Sequence, residues 1–350
     1  MIALRSVEEL TPDWCSAALA RRIGPARVRT VAASPLGTGQ MADTYRLRLG
    51  YEPPAAGPAS CVVKLTATAP ASRTAAQVMR AYEVETRFYQ QLAPRLPVRT
   101  PYCHAARYDA RTRAFTVLLE DVAGRAVDQV RGCTATEVDR AVDELAALHG
   151  PMWASPALSS LAWLPRHDGP GAAWMASLVR RVHPRFLRRF GARLRPEVID
   201  LLGGFVPRVE RYLRDRPGPR TVVHGDFRAD NLVPGGRGRM TVLDWQTAAH
   251  EPPATDLAYF LGASVEVERR RDLERSAVRR YVAALTGYGV SLSVDDCWRD
   301  YRRYAFGGLV MAIVGSTLVT PTERGDDMFA TMTNRHGAHA IDLDSISLLR

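Results

Sequence analysis

Residues 221 to 245 read TVVHGDFRADNLVPGGRGRMTVLDW. Short apolar runs enclose a polar insert that carries Asp226, Asp230 and Asn231. Acids ordinarily sit on solvated faces, so a polar loop between two strands would account for the insert by itself. The run PGGRGR is rich in turn residues and, flanked by LV and TVL, predicts a β-hairpin. Folding that hairpin returns Asp244, at the end of its second strand, beside Asp226 and Asn231 at the start of its first. Three oxygen-bearing side chains then converge on one open end, a donor set that suits Mg2+ rather than zinc.

The rest of the chain narrows the chemistry. Its 350 residues, 46% of them hydrophobic, are enough to bury a core in two modest domains. The start, MIALRSVEEL, meets Glu8 before any apolar stretch of signal length, and the weakly polar run 306–320 is shorter than the roughly 18 to 20 residues of a membrane span. Cys15, Cys61, Cys103, Cys133 and Cys297 are odd in number and lack CxxC spacing, which argues for reduced thiols in the cytoplasm. The formal charge of +10 suggests an anionic partner. Nearly every cation is arginine, however, a composition that says little about nucleic acid, and none is expected. Arg181, Arg185 and Arg188 share a helical face with few aromatics for base stacking, so a solvated face is expected there. His336 and His339 have ligand-like spacing without acidic or cysteine companions and read as a surface feature.

Against 47 basic residues, Lys64 is the single lysine, set in CVVKL, a buried-strand pattern. A compact ammonium and a guanidinium are not interchangeable where a phosphate must be met. Thr11-Pro12 predicts the start of a helix that Gly24 closes. Strands are expected at 28–34, 43–49 and 60–66, then a helix over 72–92, then a hairpin formed by RTPYCHAARYDA and RTRAFTVLLEDV. Beyond Val122 helices dominate, at 136–149, 171–190, 196–214 and 273–285. The expected architecture is α+β: a small five-stranded antiparallel lobe over residues 1–121 and a larger, mainly helical lobe over 122–350.

The spacing Asp226-x-x-x-x-Asn231 followed by Asp244 has a mechanical meaning in phosphoryl transfer. The first Asp accepts the proton of an attacking hydroxyl, and the Asn and later Asp hold metal ions on the nucleotide phosphates. That scheme also requires a lysine on the third strand, a helix glutamate to orient it, and a glycine loop. Lys64 is on the third expected strand, Glu83 and Glu85 are on the helix after it, and Leu36-Gly37-Thr38-Gly39-Gln40-Met41 joins the first two strands. Neither GxxxxGK[ST] nor GxSxG occurs, which removes the P-loop and the usual hydrolase elbow.

These motifs, HGDFRADNLV, VLDWQ and PATDLAYFL, with VVKL, EVETRFYQQLAP, TPYCHAARYD and LLEDV upstream, resemble the aminoglycoside phosphotransferase and choline kinase superfamily, and most of all its ecdysteroid-kinase-like branch. The resemblance covers residues 30 to 345. It implies a bilobal, protein-kinase-like fold that phosphorylates small-molecule hydroxyls with ATP or GTP and Mg2+. It implies Asp226 as catalytic base, Asn231 and Asp244 as metal ligands, and Lys64 on the phosphates with Glu85 as its partner. It places Gly37, Thr38, Gly39 and Gln40 over the phosphates, Val62 on the base, and the backbone of Leu119, Glu120 and Val122 at the purine edge. His224 and Asp256 would organise the catalytic loop, although PATDLAYF also fits an N-cap at Asp256. The pair before Asp226 is His-Gly rather than His-Arg, so no switch by phosphorylation is expected.

Two rivals stand beside this reading: a pseudokinase scaffold that binds nucleotide without turnover, and a metal-dependent phosphohydrolase using His224 with the acids. The arginine-rich helical lobe favours a neutral or anionic acceptor over a polycationic one. Trp163, Trp174, Tyr259 and Trp298 would either line its pocket or pack the core.

Overall fold

A computed structural model describes residues 2–37, 41–318 and 321–349. The chain divides into two compact units, Met1–Arg95 with Thr100–Ala123 and Leu243–Thr247, and Leu96–Arg99 with Gly124–Val242 and Ala248–Arg350. The expected single cut between residues 121 and 122 differs from this division at three short segments, 96–99, 122–123 and 243–247. Residues 243–247 join the first unit because Trp245 stacks on Phe88, with ring centroids 3.9 Å apart, and Asp244 pairs with Lys64.

In the first unit, helix α1 (Pro12–Ile23) begins where the Thr11 hydroxyl accepts the Trp14 amide at 3.2 Å. It ends at Gly24, whose φ of 59° suits glycine. Strands β1 (Arg27–Pro35), β2 (Ala42–Glu52), β3 (Ser60–Thr66), β4 (Cys103–Tyr108) and β5 (Phe115–Glu120) form one antiparallel sheet in the order β1-β2-β3-β5-β4. The two-residue period of β3 sends Cys61, Val63 and Leu65 into a core with Cys15, Leu19 and Ile23 of α1. Val62 and Lys64 face the other way, opposite Leu119 and Val117 of β5.

The single helix expected over 72–92 is instead two, α2 (Pro70–Val78) and α3 (Ala81–Arg87), with a π-helical turn over Phe88–Leu92. Arg80, with φ 55°, breaks the ladder. The break re-aims the chain: α2 buries only Ala75 and Ala76, whereas α3 buries Ala81, Tyr82, Val84, Glu85 and Thr86.

The second unit begins with α4 (Ala135–His149), capped by a reciprocal Thr134–Glu137 box. It continues through α5 (Pro156–Ser159), α6 (Pro170–Phe190), α7 (Pro196–Phe205) and α8 (Val209–Arg214). The helix expected over 196–214 is split by a 3-10 turn containing Pro207, which cannot donate to the ladder. Two small sheets follow. β6 (Thr221–Val223) pairs with β9 (Ala249–Glu251), and β7 (Leu232–Pro234) with β8 (Met240–Val242) as the expected hairpin. The chain closes with α9 (Ala254–Ser264), α10 (Val267–Thr286), α11 (Val294–Arg303), α12 (Gly307–Leu318) and α13 (Glu323–Asp342). Among the described residues no helix is long and apolar enough to cross a membrane.

His336 and His339 lie in α13 and are wholly buried, which overturns their reading as a surface feature. Glycines on neighbouring helices make the room. A Cβ on Gly308 would stand 1.9 Å from His336 Nε2, and one on Gly262 would stand 2.5 Å from His336 Nδ1 and 2.6 Å from His339 Nδ1.

Candidate active site

In the first unit the sole lysine is saturated with carboxylates. Lys64 Nζ donates to both oxygens of Glu85, at 2.7 and 2.8 Å, and to Asp244 Oδ1 at 2.7 Å. Glu85 is 1% exposed and comes from α3, whose re-aimed axis brings it under β3. Burial alone would lower the Lys64 pKa, but Asp244 and Glu85 outweigh it and hold the ammonium charged well above the ordinary lysine range. Asp244 has φ 64°, a left-handed conformation that Asp tolerates better than bulkier residues and that marks a position held by its surroundings. Its second oxygen accepts Gln246 Nε2 at 3.1 Å.

Val62 lies on the same sheet face as Lys64, so two of the expected nucleotide-binding side chains are brought together, and Leu119, expected to act through its backbone, stands opposite Val62 on that face. The Glu120 amide donates to the Tyr102 carbonyl at 2.8 Å and is thus committed within the sheet. Arg46 clamps Asp121 with bonds of 2.8 and 3.1 Å beside Val122. Gly37 has φ 71°, and the expected contacts of Thr38, Gly39 and Gln40 lie outside the described residues.

In the second unit β6 delivers the chain into His224-Gly225-Asp226, and Gly225, at φ 80°, makes the turn. Asp256 fixes that turn. Its Oδ2 accepts the His224 amide at 2.6 Å and His149 Nε2 lies 3.3 Å from it, while Oδ1 accepts the Gly225 amide at 2.9 Å. Burial would raise the Asp256 pKa, but the hydrogen bond from His149 and the amide of His224 outweigh it and hold the carboxyl below its usual range. Of its two readings, loop organiser and N-cap, the structure supports the first: α9 starts without a side-chain cap and Asp256 lies inside its first turn. The His224 ring accepts the Asp226 amide at 3.2 Å.

Asp226 itself is held on every side. Tyr259 donates its hydroxyl to Oδ1 at 2.8 Å, and Oδ2 accepts Arg228 Nε at 3.1 Å and Asn231 Nδ2 at 3.1 Å. Asn231 Nδ2 also bonds the Asp226 carbonyl at 2.9 Å, which leaves its Oδ1 as the group for a cation. Arg228 Nη1 reaches Asp230 Oδ2 at 2.8 Å. Burial opposes the Arg228 charge, yet Asp226 and Asp230 raise its pKa above the ordinary value.

The family model for the phosphotransferase enzyme family matches residues 33–305. The chain belongs to the phosphotransferase enzyme family. Among solved structures this phosphotransferase-family fold is similar to choline kinase from Cryptosporidium parvum Iowa II, with TM-score 0.58 and 9% identity over 90% of this chain and 89% of that one. It is similar to aminoglycoside 2'-phosphotransferase-IIIa in its GDP complex, with TM-score 0.53 and 14% identity over 95% and 99%. Macrolide 2'-phosphotransferase type I gives TM-score 0.50 and 16% identity over 92% and 100%. At these identities the likeness is one of fold, the bilobal α+β kinase type. No curated protein matches the sequence.

Sequence reasoning missed Gln246 in the first unit and His149 and Arg228 in the second, and gave Tyr259 only as pocket lining or core, not as a partner of Asp226. Two had a legible signal. Arg228 stands two residues after Asp226, and Tyr259 stands three after Asp256 on one helix, a spacing that shares a face. His149 reaches the site from a helix distant in sequence, and only the fold shows it.

Proposed function

We propose that the protein is a nucleoside-triphosphate-dependent O-phosphotransferase that phosphorylates a hydroxyl of a small molecule. The observation that carries this reading is Lys64, the one lysine of the chain, partly buried and held charged between Glu85 and Asp244. A lysine so oriented is a fixed point charge for nucleotide phosphates. In this reading Glu85 keeps Lys64 in place while the donor now on Asp244 turns to phosphate. Gly37 to Gln40 cover the phosphates, Val62 and Leu119 enclose the base of ATP or GTP, and backbone groups of Glu120 and Val122 meet its edge. Asp226 accepts the proton of the attacking hydroxyl.

Asn231 and Asp244 would hold Mg2+. The donor set fits: both offer oxygen, the Asn231 nitrogen is spent on Asp226, and Mg2+ needs only one or two carboxylates besides phosphates and water. When bound, the ion neutralises charge on the transferring phosphoryl group.

The acceptor is read as neutral or anionic. Asp226 and Asp230 both pair with Arg228, and Asp230 also takes the Gln129 amide at 3.2 Å and lies 3.6 Å from Arg324 Nη2, so two arginines offset the two acids. Tyr259 is surrounded by Ala263, Met332, Met311 and Met328, soft apolar side chains that adapt to a carbon skeleton. Phosphorylation of a natural product or antibiotic fits this setting.

The test is mass spectrometry of hydroxylated metabolites and antibiotics incubated with Mg2+ and either nucleotide, using wild type and Asp226→Asn. A phosphate gained with wild type alone supports the kinase and names its acceptor class. Tight nucleotide binding with no product at all supports the pseudokinase, and phosphate release from monoesters without nucleotide supports the phosphohydrolase.

A further inference from the structure

The two oxygens of Asp226 are not equivalent. Among the described residues Oδ2 accepts two hydrogen bonds, from Arg228 Nε and Asn231 Nδ2, and Oδ1 accepts one, from the Tyr259 hydroxyl. A carboxylate offers about four lone-pair sites, two on each oxygen. Oδ2 is therefore filled and Oδ1 keeps one site. We infer that Oδ1 receives the acceptor's proton and that Tyr259, bonded to that same oxygen, is a positioning residue for the transfer and stands beside the incoming hydroxyl.

The inference rests on the kinase reading of the site. The step balances: the acceptor O–H bond breaks and its proton goes to Oδ1. The freed oxygen pair bonds the γ-phosphorus, and the bond from that phosphorus to the bridging oxygen breaks to release the nucleoside diphosphate. Tyr259 gives up no proton in this step. Burial, and then the charge of Asp226, hold its phenol pKa far above the ordinary value, so it serves only as a donor that fixes the rotation of the carboxylate.

The surroundings of Tyr259 suit a fixed pointer. Its ring lies against Ala263 and Met332 in a buried cluster, and the His336 ring stands 5.3 Å away, closed in by Gly262 and Gly308. On the far side of Asp226, Met328 Sδ meets Arg228 Nη1 at 3.5 Å, so the donors to both oxygens touch one apolar cluster.

The experiment is a double-mutant cycle of Tyr259→Phe and Asp226→Asn in the full-length chain, with water as the acceptor. Hydrolysis of Mg-ATP and Mg-GTP is followed at saturating nucleotide, with circular dichroism to check folding. A hydrogen bond to a charged group is worth roughly a 10- to 100-fold change. Tyr259→Phe is expected to lower kcat about 10- to 100-fold with nucleotide KM within about twofold. In the Asp226→Asn background it is expected to change kcat by less than about twofold, because the residue acts through Asp226. Two results overturn the inference and leave the kinase reading standing. One is Tyr259→Phe turning over at the wild-type rate while Asp226→Asn is impaired; the other is a Tyr259→Phe loss that multiplies with that of Asp226→Asn. Full hydrolysis by Asp226→Asn removes Asp226 as the base and the inference with it.

Discussion

Lowering the pH from 7 to 5 should destabilise the fold through His336. This residue is fully buried, and neither of its ring nitrogens has a hydrogen-bond partner among the described residues. Burial first, then the nearby charges of Arg270 and Arg335, lower its pKa to about 3, whereas an unfolded histidine titrates near 6.5. Below pH 6.5 the unfolded chain therefore binds a proton that the folded chain refuses. The stability is intact above pH 6.5 and is lost progressively as pH falls towards 3. At pH 5 the gap between about 6.5 and 5 amounts to roughly 2 kcal/mol from this one residue. With a urea m-value of about 3 kcal/mol/M, the unfolding midpoint should drop by about 0.7 M. His339 is lowered by the same burial, so it adds to the effect, tempered by Glu274 Oε2 at 3.9 Å. Other histidines with lowered pKa, His104, His183 and His250, act in the same direction, so the informative quantity is a difference. His336→Leu gives up no hydrogen bond and should flatten the pH 7 to 5 decline by about 2 kcal/mol. An equal decline in wild type and His336→Leu would refute the argument.

Three further outcomes are expected. Asp256→Asn replaces a buried acceptor of two backbone amides by a group that is half donor, and should cost about 3 to 5 kcal/mol in urea unfolding. Because the folded Asp256 pKa is depressed, its stabilisation is present above the ordinary carboxyl value near 4 and fades as pH falls below it, so the wild-type advantage over Asp256→Asn should shrink as the pH is lowered below that value. Lys64→Met leaves Glu85 buried without its cation and should cost about 3 to 5 kcal/mol as well as nucleotide affinity. Lys64→Met with Glu85→Gln should recover stability but not affinity, and a double variant no more stable than Lys64→Met would break that account. Asp244→Asn preserves the left-handed backbone, so its melting temperature should stay within a few degrees while calorimetry shows metal-dependent nucleotide binding lost; unchanged Mg-nucleotide affinity would sink Asp244 as a metal ligand.

Much of the candidate site was written locally. The strand lysine, the Asp226 to Asn231 spacing and the PGGRGR hairpin are short-range features, and local chemistry decides such features. The break at Arg80 was not legible, since the helical pattern runs through it and only packing shows that α2 and α3 bury different faces. The buried state of His336 and His339 was hidden for a related reason. Their room comes from Gly262 and Gly308, distant in sequence and recorded there only as two glycines in apolar helices.

The sequence by itself determined the class of chemistry. One lysine in an apolar strand, a helix glutamate and an oxygen-only donor set already suggest phosphate chemistry, because residue type and strand period settle which side chains can share a face. Only the tertiary structure decided which atoms do the meeting. Both oxygens of Glu85 take the Lys64 ammonium, and the two oxygens of Asp256 take the backbone amides of His224 and Gly225. Tyr259 and Arg228 divide the two oxygens of Asp226 between them. Hydrogen bonds depend on tenths of an ångström and on direction, and those are fixed by packing between distant segments rather than by spacing along the chain.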